Sequence, residues 1–205
     1  MQRRPAGKHK GSRGKSQQAN AGAGQVRIIG GRWRGSRLQV PDLPGLRPSG
    51  DRSRETLFNW LQPWLPGASC LDLFAGSGAL GFEAASRGAS RVVLMDSQAM
   101  AVRALEASRE RLKATDINVI HTDAMSWIGH CKDSFDIVFV DPPFADELHQ
   151  RSIELLLAHD LLNPGGWLYL EAPLGAGLPE ASGLEIYREK QMGEAQMVLF
   201  RNAPK

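Results

Sequence analysis

The chain has 205 residues, of which 42% are hydrophobic and 23% charged, and its formal net charge at pH 7 is +3. This length and composition suit one globular domain with a small appendage. They exclude a membrane-spanning protein, because no apolar run approaches the length of a span, and a disulfide scaffold, because the chain has only 2 cysteines. The amino end carries charges without an apolar segment, so we expect no secretory signal.

Cysteine and histidine usage points to a protein without a metal. Cys70 and Cys131 lie in apolar contexts, and neither they nor the 5 histidines show metal-ligand spacing. We therefore expect buried free thiols in a reducing cytoplasm, and no metal ion.

The charge is unevenly distributed along the chain. Residues 1–54 carry 13 Lys and Arg against 2 Asp, whereas residues 55–205 carry 12 Lys and Arg against 20 Asp and Glu. A basic arm on an acidic body is typical of a nucleic-acid-binding protein, although a solvated tail that aids solubility gives the same pattern. Residues 1–24 contain no large aliphatic or aromatic residue except Met1, which predicts a disordered basic tail.

A β-hairpin is predicted after the tail. The segments 26–29 and 37–40 have strand patterns, and glycines lie between them. The tip would carry Arg32, Trp33 and Arg34, where an aromatic ring between two arginines suits stacking on a base with phosphate contacts on either side. The alternative is that Trp33 packs on the body. We predict that residues 25–50 form an RNA-binding hairpin and linker.

The rest of the chain, residues 51–205, is predicted to form the body of the protein. A helix capped by Ser49 or Asp51 begins it, because apolar residues recur at helical spacing up to the prolines Pro63 and Pro66. Strands and helices then alternate, which predicts a parallel sheet with helices on both faces. The predicted strands cover 69–73, 92–96, 118–121, 135–140 and 167–170, with a tight turn at 163–166 and a final hairpin around Gly193.

A glycine-rich turn follows the first strand of the body. The segment 76–81 fits the dinucleotide fingerprint, and Asp96 ends the next strand at the spacing of a ribose-binding acid. However, Asp72 lies just before the turn, where a carboxylate suits a cationic ligand such as S-adenosylmethionine better than a pyrophosphate. The alternative role for Asp72 is a buried acid that caps the N–H groups of its own turn.

The segments Asp72–Gly78, Asp123–Ala124 and Asp141–Phe144 resemble the motifs of class I S-adenosylmethionine-dependent methyltransferases that act on an exocyclic base amine. The upstream segments 27–35 and 47–61 resemble the bacterial RsmD type, which methylates N2 of one guanine in 16S ribosomal RNA. The resemblance covers residues 26 to about 200. Ser49 stands where this family usually has Thr, and Asp96 where it often has Glu.

The resemblance implies a three-layer Rossmann-like methyltransferase fold over residues 51–205, with a mostly parallel seven-stranded sheet, and an amino-terminal β-hairpin. It implies S-adenosyl-L-methionine as cofactor and guanine 966 as target. The substrate would be 16S rRNA in an assembled or assembling small subunit, and the enzyme a cytoplasmic monomer. The implied catalytic residues are Asp141, Pro142, Pro143 and Phe144. The implied cofactor-binding residues are Asp72, Phe74, Ala75, Gly76, Ser77, Gly78, Asp96, Ser97, Asp123, Ala124 and Asp141. The predicted RNA contacts are Arg32, Trp33, Arg34, Arg47, Arg52 and Arg54.

Three alternatives stay open at this point. An Asp-Pro-Pro-aromatic turn suits the N6 amine of adenine in DNA or RNA as well as N2 of guanine. An NAD-linked oxidoreductase would explain the glycine fingerprint, and an RNA-binding module without activity would explain the basic arm. In addition, Asp123 can cap the helix that follows it instead of accepting from the adenine amine.

Overall fold

The computed structural model describes residues 24–41, 50–143, 148–175, 177–179 and 182–203. The predicted tail over residues 1–24 therefore lies outside the described residues, apart from Gly24, and so do Arg47, Ser49 and Phe144. Among the helices of the described part, none is long and apolar enough to cross a membrane.

Within these residues, a two-stranded hairpin and five helices accompany a central sheet. The hairpin consists of β1 (Gln25–Arg27) and β2 (Arg37–Gln39), with a 3-10 turn at Gly31–Trp33 between them. The helices are α1 (Asp51–Leu61), α2 (Ala79–Ser86), α3 (Ala99–Leu112), α4 (Ala124–Ile128) and α5 (Leu148–Ala158). The sequence patterns predicted both hairpin strands and α1, and the ends of the two strands lie within two residues of the prediction.

The central sheet has seven strands in the order β5-β4-β3-β6-β7-β9-β8. They are β3 (Ser69–Asp72), β4 (Arg91–Asp96), β5 (Ile117–His121), β6 (Phe135–Val140), β7 (Leu162–Pro173), β8 (Leu184–Met192) and β9 (Ala195–Asn202). Strands β3 to β7 pair in parallel, whereas β9 pairs antiparallel with β7 and with β8. The predicted α/β fold, with its mostly parallel seven-stranded sheet, is confirmed.

The core lies on both faces of this sheet, because successive side chains of a strand point to opposite faces. Cys70 and Phe139 face a cluster to which α1, α2 and α3 contribute. Leu71 and Val138 face a second cluster, which α4 and α5 cover. The strands of the parallel part are consequently apolar along most of their length, as expected for a sheet buried on both faces.

The structure corrects three details of the sequence prediction. Gly50 is the N-cap of α1 and makes no side-chain cap bond, so Asp51 does not cap the helix. The predicted tight turn at 163–166 is an irregularity inside β7, where the register shifts between Phe135 and Ile137 of β6. Cys131 is half-buried rather than buried, although both cysteines are free as predicted.

Candidate functional site

Four aspartates stand where four neighbouring parallel strands end. Asp72 ends β3, Asp96 ends β4, Asp123 follows β5, and Asp141 follows β6. The order β5-β4-β3-β6 makes these strands consecutive in the sheet, so their ends are spread over about 14 Å of a single edge. We call this carboxyl edge the aspartate edge. Ligands of open α/β sheets bind at such an edge, where the strand order reverses, here between β3 and β6.

The glycine turn between β3 and α2 is tightly folded against its neighbours. Gly76 and Gly78 have φ angles of 52° and 78°, in the left-handed region that favours glycine. A Cβ on Gly78 would lie 2.6 Å from side-chain atoms of both Leu105 and Phe82. The turn therefore requires glycine at position 78 for its conformation and for its packing. Phe74 is half-buried, and Ala75 and Ser77 are buried within the turn.

Asp72 is buried beneath this turn, with 1% of its surface exposed. Its Oδ2 accepts a hydrogen bond from the Gly81 N–H at 3.1 Å. Burial raises the pKa of Asp72 to about 7, the Gly81 N–H lowers it, and the charge of Asp96 raises it further. The capping role that the sequence left open is thus present in the structure. A carboxyl group that titrates near neutral pH below a turn is also suited to stabilising a nearby cation.

Asp96 and Asp123 both accept from backbone N–H groups. Asp96 accepts from the Gly76 N–H through Oδ2 and from the Gln98 N–H through Oδ1, each at 2.8 Å. Asp123 is the N-cap of α4 and accepts from the Ser126 N–H at 2.9 Å. Each carboxylate has further lone pairs, so these contacts fix its orientation and leave acceptor capacity for a ligand hydroxyl or amine.

The remaining predicted cofactor residues flank these carboxylates. The Ser97 carbonyl accepts from the His121 ring at 3.1 Å, and Ala124 is buried as the first residue of α4. All of the predicted cofactor residues therefore lie at the aspartate edge.

The turn at Asp141 begins directly beside the glycine turn. The Leu73 N–H donates to the Phe139 carbonyl at 3.2 Å, which joins the ends of β3 and β6. Asp141 is half-buried, Pro142 is buried and Pro143 is exposed. The two motifs, whose first aspartates are 69 positions apart in the sequence, are brought together here.

Two residues near Asp141 were missed by the sequence analysis. The Tyr169 hydroxyl donates to Glu171 Oε2 at 2.8 Å. The pKa of Tyr169 is raised well above its ordinary value by burial, then by Glu171, and then by the charge of Asp141. Tyr169 and Glu171 lie on β7, next to β6. The only sequence signal for these two residues was the position of that strand in the sheet.

The hairpin tip does not lie at the aspartate edge. Arg32 pairs with Asp116 at 2.5 Å, just before the amino end of β5. Trp33 packs edge-on against Phe82 with ring centroids 6.3 Å apart, and the Arg32 guanidinium lies 4.0 Å from the Trp33 ring centre. The alternative in which Trp33 packs on the body is therefore what the structure shows. Arg34 remains exposed.

Arg54, predicted to bind RNA, has 1% of its surface exposed. Its Nη2 donates to the Arg27 carbonyl at 2.8 Å and to Asp51 Oδ1 at 2.6 Å, and Nη1 lies 3.7 Å from Glu83 Oε2. A buried guanidinium with these partners does not reach a phosphate, so the RNA-binding role of Arg54 is wrong. Arg52, two residues earlier in α1, is exposed.

Glu83 is a buried charged residue that the sequence analysis did not single out. It is fully buried in α2 and accepts from the Ile29 N–H at 2.7 Å, the Gly30 N–H at 2.8 Å and Arg87 Nε at 2.6 Å. With Arg54 it attaches the hairpin to the body. No group of three potential metal ligands is found among the residues that the structure describes.

The chain is similar in sequence and in fold to known methyltransferases. The family described as Conserved hypothetical protein 95 matches residues 26–201. Ribosomal RNA small subunit methyltransferase D of Escherichia coli strain K12 is 44% identical over 183 residues, which cover 89% of this chain and 92% of that protein. The protein of the same name from Haemophilus influenzae is 38% identical and covers 87% of this chain and 95% of its own length. This chain belongs to that family.

A solved structure from the same family supports the fold. The yhhF methyltransferase structure from Escherichia coli superimposes with a TM-score of 0.80 at 41% identity, covering 89% of this chain and 100% of that one. Family membership confirms the resemblance that the motifs indicated. The matched segment begins inside β1, so the basic tail lies outside it.

Proposed function

We propose that this protein transfers a methyl group from S-adenosylmethionine to the exocyclic N2 of a guanine in 16S ribosomal RNA. The observation that carries the proposal is the contact between the Asp141 turn and the glycine turn, joined by the Leu73–Phe139 hydrogen bond of 3.2 Å. Relatives named ribosomal RNA small subunit methyltransferase D support the reaction and the RNA class. The choice of N2 of guanine 966 rests on the resemblance of the upstream motifs.

The residues at the aspartate edge fit S-adenosylmethionine. A buried carboxyl group, Asp72, suits its positive charge, and the turn at Gly76 and Gly78 allows close approach to the backbone. Asp96 suits the ribose hydroxyls, and Asp123 with the Ala124 N–H suits the adenine edge. The cofactor supplies the reactive methyl group, so the protein contributes position and electrostatic field.

Asp141 and Pro142 are proposed to hold the amine that is methylated. The lone pair of a guanine N2 amine is delocalised into the ring, so the nitrogen must be held as it becomes tetrahedral. The Asp141 carboxylate and the Pro142 carbonyl would accept its two N–H bonds, which directs the lone pair at the methyl carbon. Neither proline offers a competing N–H donor, and their fixed φ stiffens the turn. Phe144 would stack on the base.

The Asp141 carboxylate would also stabilise the positive charge that the reaction creates. As the N–C bond forms and the bond from carbon to sulfur breaks, the nitrogen becomes positive before it loses a proton. An anionic Asp141 in a half-buried position stabilises that charge more than water would. We propose that Asp141 also accepts this proton.

We further propose that the substrate is an assembled or assembling small subunit and that the enzyme is a cytoplasmic monomer. Among the predicted RNA contacts that the structure describes, Arg34 and Arg52 are exposed. The edge strand β8 supports a monomer, because it carries Glu185, Arg188 and Glu189 on an exposed surface, and charges discourage pairing between edges.

The test is methyl transfer to purified small subunits that lack the modification, followed by mass analysis of the digested nucleosides. We expect N2-methylguanosine with the wild-type protein and none with Asp141→Ala. N6-methyladenosine would establish the alternative base instead. Heating curves with S-adenosylmethionine and with NAD separate the oxidoreductase, since only a bound ligand raises the melting temperature. A protein stabilised by NAD alone would refute the proposal.

A further inference from the structure

A cleft of about 250 Å³ lies between the hairpin and the first turns of α1. Its hairpin wall is formed by residues 27–29 and 34–35, and its helix wall by Asp51 and Glu55. We call it the hairpin cleft. Its hairpin wall carries two exposed guanidinium groups and its helix wall carries two exposed carboxylates, so the two sides have opposite charge.

The helix wall of the hairpin cleft lies toward the carboxyl edge of the sheet. Helix α1 runs antiparallel to the strands beneath it, because Trp64 stacks on Trp167 near the start of the parallel part of β7 at 4.1 Å, and Phe58 packs on Phe139 near the end of β6 at 6.0 Å. From Phe58 to Asp51 the helix rises by about 10 Å. The first turn of α1 therefore lies farther toward the carboxyl edge of the sheet than Phe58 does.

Both walls are held by buried charged groups. Glu83 accepts from the Ile29 and Gly30 N–H groups at 2.7 and 2.8 Å, which fixes the hairpin wall on α2. Arg54 donates to the Arg27 carbonyl and to Asp51, which connects the hairpin wall to the helix wall. The cleft is therefore a preformed feature whose width does not depend on exposed side chains alone.

Two side chains of the hairpin cleft, one guanidinium and one carboxylate, are available to bind a ligand. Among the residues that the structure describes, the side chains of Arg34 and Glu55 have neither a hydrogen bond nor an ion pair. Arg27 lies 3.6 Å from Asp51, with side chains 63% and 55% exposed. An ion pair this long and this exposed contributes little, so a phosphate can compete for the guanidinium.

We propose that the hairpin cleft binds one nucleotide of the single-stranded RNA that flanks the methylated base. Arg27 and Arg34 hold its phosphate, and Glu55 accepts from the exocyclic amine of its base. The opposite charges of the walls orient the nucleotide, with the phosphate toward the hairpin and the base toward α1. The cleft volume suits one nucleotide, and duplex RNA would not present a separated base to Glu55. The inference rests on the proposed function and locates part of its substrate.

The first experiment measures binding of the full-length protein to small subunits across a salt series. Arg34→Gln and the double variant Arg27→Gln with Arg34→Gln are compared with Arg188→Gln, which removes an exposed arginine on β8. We expect about tenfold weaker binding for each cleft arginine replaced, and a salt slope smaller by about 0.7 for each phosphate that the variant no longer neutralises. Affinity for S-adenosylmethionine, measured by calorimetry, should stay at the wild-type value in all three.

The second experiment tests Glu55 with subunits reconstituted around transcribed RNA, in which each nucleotide flanking the target is changed to uridine in turn. Uracil lacks an exocyclic amine, so at one flanking position this change should weaken binding of the wild type severalfold and leave Glu55→Ala, which has no side-chain acceptor, unaffected. Equal losses for both proteins at every position would overturn the role of Glu55.

The outcomes separate this inference from the proposed function. If the wild type methylates the subunit and the cleft variants bind like Arg188→Gln, the cleft is not a nucleotide site, while the proposed function stands. If the wild type transfers no methyl group, the proposed function fails and the cleft loses its substrate with it.

Discussion

Replacing Asp72 by Asn tests whether this buried acid serves the cofactor or only its own turn. The pKa of Asp72 is raised from 3.8 to about 7, mainly by burial. Below pH 4 the carboxyl is protonated in both the folded and the unfolded chain. Between pH 4 and 7 the unfolded chain ionises first, so the free energy of unfolding falls as the pH rises. The total loss above pH 7 is about 4 kcal/mol. The Asn variant lacks this loss and keeps an acceptor for the Gly81 N–H.

The same titration predicts how cofactor affinity depends on pH. If the ionised carboxylate stabilises the positive charge of S-adenosylmethionine, the wild type must ionise Asp72 in order to bind well. The ionised fraction rises by about tenfold from pH 6 to pH 8 when the pKa is about 7. The affinity should rise by the same factor, whereas the affinity of Asp72→Asn should be weak and independent of pH.

Two measurements decide the matter. Denaturant unfolding from pH 5 to pH 8 gives the stability difference between wild type and variant, and calorimetry over the same range gives the affinities. Glu185→Gln, which neutralises an exposed carboxylate on β8, is the matched control and should follow the wild type in both. If unfolding shows the pH step but cofactor affinity does not, Asp72 is a helix cap alone. If the free energy of unfolding changes with pH in the same way for Asp72→Asn and the wild type, burial does not raise the pKa of Asp72.

Three further changes test other parts of the structure. Asp141→Ala should abolish methyl transfer and leave S-adenosylmethionine affinity near wild type by calorimetry, whereas Asp141→Asn should retain a little activity, since an amide oxygen still accepts. Gly31→Ala should lower the free energy of unfolding by about 3 kcal/mol or more, because its Cβ would lie 1.8 Å from the Ser86 carbonyl oxygen. Gly35 also has a positive φ but faces open space, so Gly35→Ala should lower the free energy of unfolding by about 1 kcal/mol. Arg32→Ala should lower stability by less than about 1 kcal/mol and leave affinity for small subunits unchanged in the same salt series; a loss of RNA affinity would return recognition to the hairpin tip.

The aspartate edge was predictable because every signal for it is local. Each of its carboxylates stands at or just after the end of an apolar run of strand length, and the intervening helices make the strands parallel. Parallel strands joined by right-handed crossovers place their carboxyl ends at one edge. The position of Asp72 and Asp141 on adjacent strands then follows from the strand order alone.

The course of the hairpin was not predictable in this way. Its direction is set by contacts between residues far apart in sequence, such as Glu83 with the backbone of Ile29, 54 positions away. No periodicity marks Glu83, because all eight residues of α2 are buried. Arg54 did carry a signal: it precedes Leu57, Phe58 and Leu61 at the spacing of one helix face. Charged residues are rarely buried without partners, and the sequence did not reveal the partners.

Part of the basic charge of residues 1–54 is neutralised by acidic partners within the protein. In the sequence, residues 1–54 form a basic arm that would face outward, but two of their arginines are paired with carboxylates in the structure. Arg32 pairs with Asp116, and Arg54 with Asp51 beside Glu83. Asp116 and Glu83, which lie beyond residue 54, thus attach the arm to the body. The RNA contacts proposed for the described hairpin consequently use fewer arginines than its composition suggests, because Arg27 and Arg34 line the hairpin cleft whereas Arg32 pairs with Asp116.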